Sequence, residues 1–245
     1  MRNAERWRPS KYVLRGGRLR GSRDPREVAV ASRLVADLVA AAYEPALAEH
    51  ARGRMLELGC GKAPLYGAYR DRVSAVTCVD WVHSPHGAEH VDCACDLTKP
   101  LPFPDAAFDT ILLSDVLEHI PEPEALWAEA ARVLAPGGRL LLNVPFLYGL
   151  HEQPHDYYRY TEFALRRFAE RAGLAVLALE PVGGAPEVLA DLFAKVVVGV
   201  PLAGGVLARA AQGSAALLRR TGFGRRASRR SAARFPLGYL LVATR

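Results

Sequence analysis

Apolar residues along this chain recur in two rhythms. Compact apolar runs near residues 54–59, 74–79, 109–114, 139–144, 174–180 and 237–243 are separated by stretches in which apolar positions return at helical spacing. A short continuous run suits a strand covered on both faces, and the longer rhythm suits a helix with one covered face. Their alternation predicts an α/β fold built on a mostly parallel sheet with helices on both faces. Ahead of the first run, Val28, Val35, Leu38, Val39, Ala42 and Tyr43 return at helical spacing. Asp24-Pro25-Arg26-Glu27 carries the marks of that helix's start: a capping Asp, Pro in the first turn, and Glu three residues after the cap.

Both ends break the rhythm. Residues 1–23 hold Arg, Gly and two aromatics without a regular apolar period, and are expected to be disordered or to fold over a site once it is filled. Between Pro181 and Pro236 the chain is apolar from Val188 to Leu207, then carries arginine pairs at 219–220, 225–226 and 229–230. Two or more helices inserted before the last strand are predicted there, serving as a lid, a homodimer contact or a membrane-surface seat. The organisation expected is an arm at 1–23, a core at 24–180, a helical insertion at 181–235 and a closing strand at 236–245.

Charge divides along the same boundaries. Residues 1–26 carry nine Lys/Arg and two acids, and residues 192–245 carry ten and none, so the body is acidic although the 245-residue chain has a net charge of +6. Basic ends point to an anionic partner such as a lipid headgroup, a phosphate-bearing substrate or nucleic acid, or to a solvated arginine surface, since only four of the 32 basic residues are lysine. With 50% hydrophobic residues and 24% charged, the composition suits a soluble globular protein with a full core. The N-terminal residues lack the apolar run of a secretion signal, and no stretch of eighteen apolar residues occurs. A cytoplasmic location is expected, with segment 192–235 available for peripheral contact with the inner membrane surface. Cys60, Cys78, Cys93 and Cys95 are read as free thiols.

The chemistry begins at Arg54-Met-Leu-Glu57-Leu-Gly59-Cys-Gly61, an apolar strand running into a glycine turn. Gly59 and Gly61 let the backbone take unusual dihedrals and approach a ligand without an intervening side chain. The next apolar run ends at Asp80, nineteen residues past Gly61, where an acid at the strand tip reaches a ribose hydroxyl pair. A nicotinamide dinucleotide would fit that spacing, but its fingerprint wants Gly or Ala at position 64, and this chain has Pro64.

Glu57-Leu-Gly-Cys-Gly61, Asp80, Asp96-Leu97, Phe108-Asp109 through His119, and Leu134-Ala-Pro-Gly-Gly138 stand in the order and spacing of class I S-adenosylmethionine-dependent methyltransferases, which this chain resembles over roughly residues 54–180. The resemblance implies a Rossmann-like seven-stranded sheet, mostly parallel with an antiparallel last strand, and S-adenosyl-L-methionine as cofactor. It implies that Glu57, Gly59 and Gly61 border the methionine part of the cofactor, and that Asp80 binds the ribose with Trp81 beside the adenine. Asp96 and Leu97 would meet the adenine edge, with Asp92 competing for that role. Ser114-Asp115-Val-Leu-Glu118-His119 would lie along the methionine side and open toward the acceptor, Ser114 and His119 bordering the cofactor and the Glu118-His119 pair marking the fold more than the reaction. The family's third glycine is Ala63 here, so the turn is expected to be slightly wider.

The acceptor side is read from His151-Glu-Gln-Pro-His155-Asp156-Tyr157-Tyr158-Arg159-Tyr160-Thr161. Packing has little use for two histidines, an aspartate, an arginine and three tyrosines in one loop, whereas an acceptor pocket can use them all, and similar runs occur in bacterial methyltransferases of uncertain substrate. His155, or His151, is expected to be the general base, with Asp156 orienting it and Arg159 pairing with an acid of the loop or the substrate. The alternative is a structural network that locks the loop. No metal is expected: His151, His155 and Asp156 could hold a divalent ion, but the family has no general metal requirement. The function expected is methyl transfer to a hydroxyl or amine of a small molecule, glycan or lipid precursor. The alternatives are a nucleic-acid (RNA) methyltransferase, which the basic ends favour and Asn143-Val-Pro-Phe146 disfavours, or a non-catalytic scaffold that keeps the cofactor fold.

Overall fold

The structure, a computed structural model, describes residues 1–245. A seven-stranded sheet forms its centre in the order β5-β4-β3-β6-β7-β9-β8. The strands are β3 (Arg54–Leu58), β4 (Ala75–Asp80), β5 (Cys93–Ala94), β6 (Phe108–Ser114), β7 (Leu134–Pro145), β8 (Ala175–Val182) and β9 (Gly238–Thr244). β3 pairs in parallel with β4 and β6, β4 with β5, and β6 with β7, while β9 runs antiparallel between β7 and β8. The expected sheet is therefore the observed one, and the last strand in sequence is the antiparallel one.

The two-residue period of each strand sorts its side chains onto two cores. Leu56, Leu58, Ile111, Leu113, Leu140, Leu142 and Leu241 face one layer, where they pack with Leu126 and Trp127 of α3 (Pro123–Val133) and Leu165 of α4 (Glu162–Arg171). Met55, Leu112, Leu141, Leu240 and Val242 face the other, against Leu38, Val39, Tyr43 and Leu47 of α1 (Arg33–His50) and Tyr69 of the short α2 (Tyr66–Tyr69). Strand order reverses at β3, whose neighbours β4 and β6 lie on opposite sides. Ligands of such sheets bind beyond the carboxyl ends of the strands at that reversal.

Three expectations need correction. The arm is not disordered: β1 (Tyr12–Arg15) and β2 (Arg18–Gly21) form an antiparallel hairpin that buries Tyr12 and Leu19 in the α1 core. Gly21 allows this approach, since a Cβ there would stand 2.6 Å from that of Ala36. Asp24 does not open α1. It accepts the Arg26 N–H (3.0 Å) in a turn, and the helix begins at Arg33, where the Leu34 N–H is taken by the Gln212 side chain (2.8 Å) in place of a local cap. β7 starts earlier than residue 139, because Leu134 pairs with Phe108 across an irregularity.

Gln212 belongs to α6 (Gly204–Arg220), which with α5 (Ala185–Val197) and α7 (Gly222–Ala232) makes up the insertion. It is tied inside by buried Glu187, which accepts from Gly184 N (2.9 Å), Ser228 Oγ (3.0 Å) and Arg219 (3.2 Å). Its outside shows Leu189, Val196, Leu202, Val206 and Phe223 to solvent. No helix of the structure is long and apolar enough to cross a membrane.

Candidate active site

The turn after β3 is left-handed at Gly59 (φ 67°), Gly61 (φ 50°) and Ala63 (φ 47°). A Cβ at Gly59 would lie 2.5 Å from Val116 Cγ2, so both conformation and space exclude a side chain there. Ala63 takes the same backbone region as the glycines at a cost on the order of 1 kcal/mol. Asp80 closes the turn from the neighbouring strand: its Oδ2 accepts the Gly61 N–H (2.7 Å) and its Oδ1 accepts the Trp81 N–H (2.8 Å). A carboxylate has about four lone-pair sites. Two remain for a pair of ribose hydroxyls, so the residues present fit the cofactor that the fold implies.

Glu57 is buried beneath this turn and accepts the Tyr69 hydroxyl. Burial, with Asp80 adding and the Tyr69 bond opposing, pushes its carboxyl up to about 7. Of the two candidate adenine-edge acids, Asp92 is occupied inside the fold, accepting Cys78 N (2.8 Å) beside the Met1 amine (3.2 Å). Asp96 follows β5 with an exposed carboxylate, held below the usual carboxylate range by the Thr98 hydroxyl (2.7 Å) and N–H (2.9 Å), and Leu97 beside it is buried. Trp81 is half-exposed, with the rings of His83 and His155 edge-on to it. All four cysteines are free.

A cavity of about 230 Å³ opens beyond the ends of β6 and β7, lined by Lys11, Asp115, Asn143, Tyr148, His151 and Glu152 among others. Ser114 meets Asn143 (3.2 Å), whose amide donates to Asp115 (2.8 Å), and Lys11 of the arm donates to Asp115 (2.6 Å). Asp115 (φ 56°) and Glu152 (φ 50°) both hold left-handed backbone conformations, which for non-glycine residues cost energy and gather at functional sites.

Within the acceptor loop the structure redistributes the expected roles. Asp156 attends His151, not His155: it accepts the His151 N–H (2.9 Å), and its Oδ2 lies 3.4 Å from the His151 ring. Arg159 grips Asp156 through two bonds (2.6 and 2.8 Å) and holds its carboxyl well below the usual range, so Arg159 pairs with an acid of the loop. The same guanidinium donates to the Tyr148 and Gly149 carbonyls (3.2 and 3.1 Å), which makes this pair the pin of the loop. His155 is exposed and does not line the cavity; its Nδ1 lies 3.2 Å from the Tyr157 hydroxyl, and its carbonyl accepts from His119 Nδ1 (2.7 Å).

The sequence offered Glu118 only as half of a Glu-His pair that marks the fold; the structure gives it a more particular place. Its side chain is fully buried, and neither carboxylate oxygen has a hydrogen-bond partner. His151 Nε2 lies 3.7 Å and His119 Nε2 3.9 Å from its Oε1. Burial raises the Glu118 pKa, and the nearby His151 ring opposes the rise. For His151, burial works downward but the Glu118 and Asp156 carboxylates outweigh it, and the net shift is upward. Lys11 and Asn143 carried no local sign of a site role, because their contacts with Asp115 are made across 104 and 28 residues of chain.

A family profile described as a methyltransferase domain matches residues 56–142. A ubiquinone biosynthesis O-methyltransferase of Xanthomonas axonopodis pv. citri is 31% identical over 111 residues, covering 41% of this chain and 46% of that one. The protein of the same name from Chromobacterium violaceum is 28% identical over 163 residues, covering 54% and 69%. The chain thus matches under half the length of the first of these relatives. Among solved structures, the cyclase SpnF superposes with a TM-score of 0.56 at 22% identity, covering 85% of this chain and 82% of that one. An S-adenosylmethionine dependent methyltransferase from Mesorhizobium loti gives 0.53 at 16% identity, covering 84% and 97%. A geranyl diphosphate methyltransferase in complex with its methyl donor gives 0.54 at 17%, covering 91% and 93%. With the seven-stranded order and the glycine turn closed by Asp80, this chain carries a methyltransferase domain at residues 56–142 on the fold that these solved structures share.

Proposed function

We propose that this protein transfers the methyl group of S-adenosylmethionine to a hydroxyl or amine of a small molecule, glycan or lipid precursor held in the cavity beyond β6 and β7. The observation that carries the reading is the adjacency of two sites: the glycine turn closed by Asp80, in which a Cβ on Gly59 would meet Val116, and the cavity that begins at neighbouring Asp115 and is walled by His151 and Glu152. The cofactor supplies an electrophilic methyl on a sulfonium; the new bond forms to the acceptor atom while the carbon–sulfur electron pair stays on sulfur. The protein's share is to hold donor and acceptor in line and to manage the acceptor's proton. That second task falls to His151, which lines the cavity with Glu118 and His119 beside it, rather than to His155, which does not line it.

Calorimetry with S-adenosylhomocysteine, followed by mass spectrometry of an acceptor panel, tests the reading. The expected outcome is binding and a gain of one methyl group on a hydroxyl- or amine-bearing acceptor. No binding would remove it, and binding without turnover on any acceptor would favour the scaffold reading. Likeness to a cyclase of the same fold makes that distinction necessary.

The insertion supports an acceptor met at a lipid surface. Exposed Val196, Leu202, Val206 and Phe223 share it with the three arginine pairs, and no acid follows Asp191 in the chain. Apolar side chains beside arginines of which only Arg219 meets an acid, Glu187, suit an anionic bilayer. Co-sedimentation with phosphatidylglycerol vesicles, lost at high salt and in Leu202→Ser, is expected. Equal affinity for duplex RNA at the same salt would favour the nucleic-acid reading instead.

A further inference from the structure

Glu118, His119 and His151 come together from two loops that are thirty residues apart in sequence, and their nearest ligand atoms all lie within 4.8 Å of one another. Three features make the group unusual. Both Glu118 oxygens and His119 Nε2 are buried without a hydrogen-bond partner. A buried, unpartnered carboxylate is costly unless a cation or a strong donor meets it.

The second feature is where the imidazole protons sit. His119 Nδ1 lies 2.7 Å from the His155 carbonyl, which can only accept, so that nitrogen carries the hydrogen and Nε2 presents a lone pair. His151 Nδ1 faces two acceptors, the Gly149 carbonyl (3.3 Å) and Asp156 Oδ2 (3.4 Å), against one donor, Arg159 (3.4 Å). The balance places its hydrogen on Nδ1 and turns its Nε2 lone pair toward Glu118 as well. Anchoring the far nitrogen on a backbone carbonyl or carboxylate is how metal-binding histidines are oriented. Three groups able to donate an electron pair thus converge on one point.

The third feature is position. Glu152 Oε2 lies 3.9 Å from His119 Nε2, and Glu152 and His151 both line the cavity assigned to the acceptor. A carboxylate supplied there by a left-handed backbone residue gives the group a fourth donor, an oxygen, on its cavity side.

We propose that Glu118, His119 and His151, with Glu152 at the cavity edge, form a binding site for one divalent transition-metal ion. Two imidazoles and a carboxylate suit the zinc-to-manganese range and leave positions open. An acceptor hydroxyl reaching an open position from the cavity would lose its proton more readily there. That role rests on the methyltransferase reading, whereas ion binding rests on the cluster alone. The residues differ from the His151, His155, Asp156 set that sequence proximity suggests, because Asp156 is bound to Arg159 and His155 points elsewhere.

The test uses the full chain, stripped with chelator and dialysed, then titrated with Co²⁺ alone by visible absorption and with Mn²⁺ alone by loss of the free-ion resonance. The expected result is one equivalent bound, with the visible bands of a low-coordinate nitrogen–oxygen cobalt site and no thiolate charge-transfer band that would implicate the four cysteines. His119→Ala and His151→Ala, whose rings are partly exposed, should each weaken Co²⁺ binding tenfold or more. Glu118→Gln should do the same; should this buried change unfold the chain, the two histidine variants carry the test. His83→Ala, in an exposed loop, should bind as the unaltered chain does. Absent stoichiometric binding, a thiolate spectrum, or unchanged affinity in both histidine variants would overturn the proposal. Calorimetry of S-adenosylhomocysteine on the same stripped protein separates the two readings: intact cofactor binding without ion binding sinks the metal site and leaves the methyltransferase standing.

Discussion

The cofactor end and the acceptor end of the molecule treat their buried carboxylates differently. Asp80 has a backbone N–H on each oxygen and Glu57 has the Tyr69 hydroxyl, whereas both oxygens of Glu118 lack a donor. The first end is completed by its own backbone and one tyrosine hydroxyl, all within residues 57–81. The second gathers groups from the arm, the turn after β6, the end of β7 and the loop at 148–159, and leaves charge facing a cavity. An unsatisfied buried group has a cost in folding that a substrate or ion can recover, so the contrast locates where binding chemistry remains to be done.

Substitutions at the two ends should therefore fail in different ways. The largest effect is expected from His151→Ala, with turnover falling about 10²–10⁴-fold while S-adenosylhomocysteine affinity stays within twofold. His155→Ala should fall less than tenfold in the same assay, and equal losses would erase the distinction between a cavity-lining histidine and an exposed one. Asp156→Ala removes the acceptor loop's one saturated carboxylate and strands Arg159, so urea unfolding should show a loss of about 3 kcal/mol. A loss below about 0.5 kcal/mol would mean that the pin bears no weight.

Glu57 gives a pH signature. Its carboxyl in the folded chain, pushed up to about 7, lies above the ordinary value of 4.5. The fold thus favours the neutral acid: the stabilisation is complete below about pH 4.5 and disappears as pH rises through about 7. Between those limits the group alone should cost the wild type on the order of 3 kcal/mol relative to Glu57→Gln. Denaturation midpoints for the pair at pH 5 and pH 8 that shift in parallel would contradict a buried neutral Glu57. A more modest effect is expected for Asp80→Ala, which should weaken cofactor binding by about 1–3 kcal/mol through lost charged hydrogen bonds. Unchanged affinity by calorimetry would put the ribose elsewhere.

How much was legible follows from the same contrast. Glu57, Gly59, Gly61 and Asp80 could be read from spacing because a strand, a turn and the next strand are local, and their hydrogen bonds obey that geometry. Order along the chain also led to Asp96 over Asp92, and the structure leaves the Asp96 carboxylate exposed while Asp92 bonds the Cys78 N–H. Glu118 was hidden inside a Glu-His pair that reads as part of the fold, and Lys11 inside an arm without periodicity. His155 looked as good as His151 because sequence distance cannot say which ring faces a cavity.

By itself the sequence determined the alternation of strand and helix, the sheet that alternation builds and the glycine turn with its acid, since periods of two and 3.6 and a left-handed turn are properties of neighbouring residues. Only the tertiary structure decided the start of α1, the seating of the arm on Asp115, and the meeting of Glu118 with His119 and His151. Those depend on a Gln212 side chain from a helix 178 residues away, on a salt bridge across 104 residues, and on burial that withdraws water from a carboxylate. Such long-range pairings leave no local pattern in the chain that encodes them.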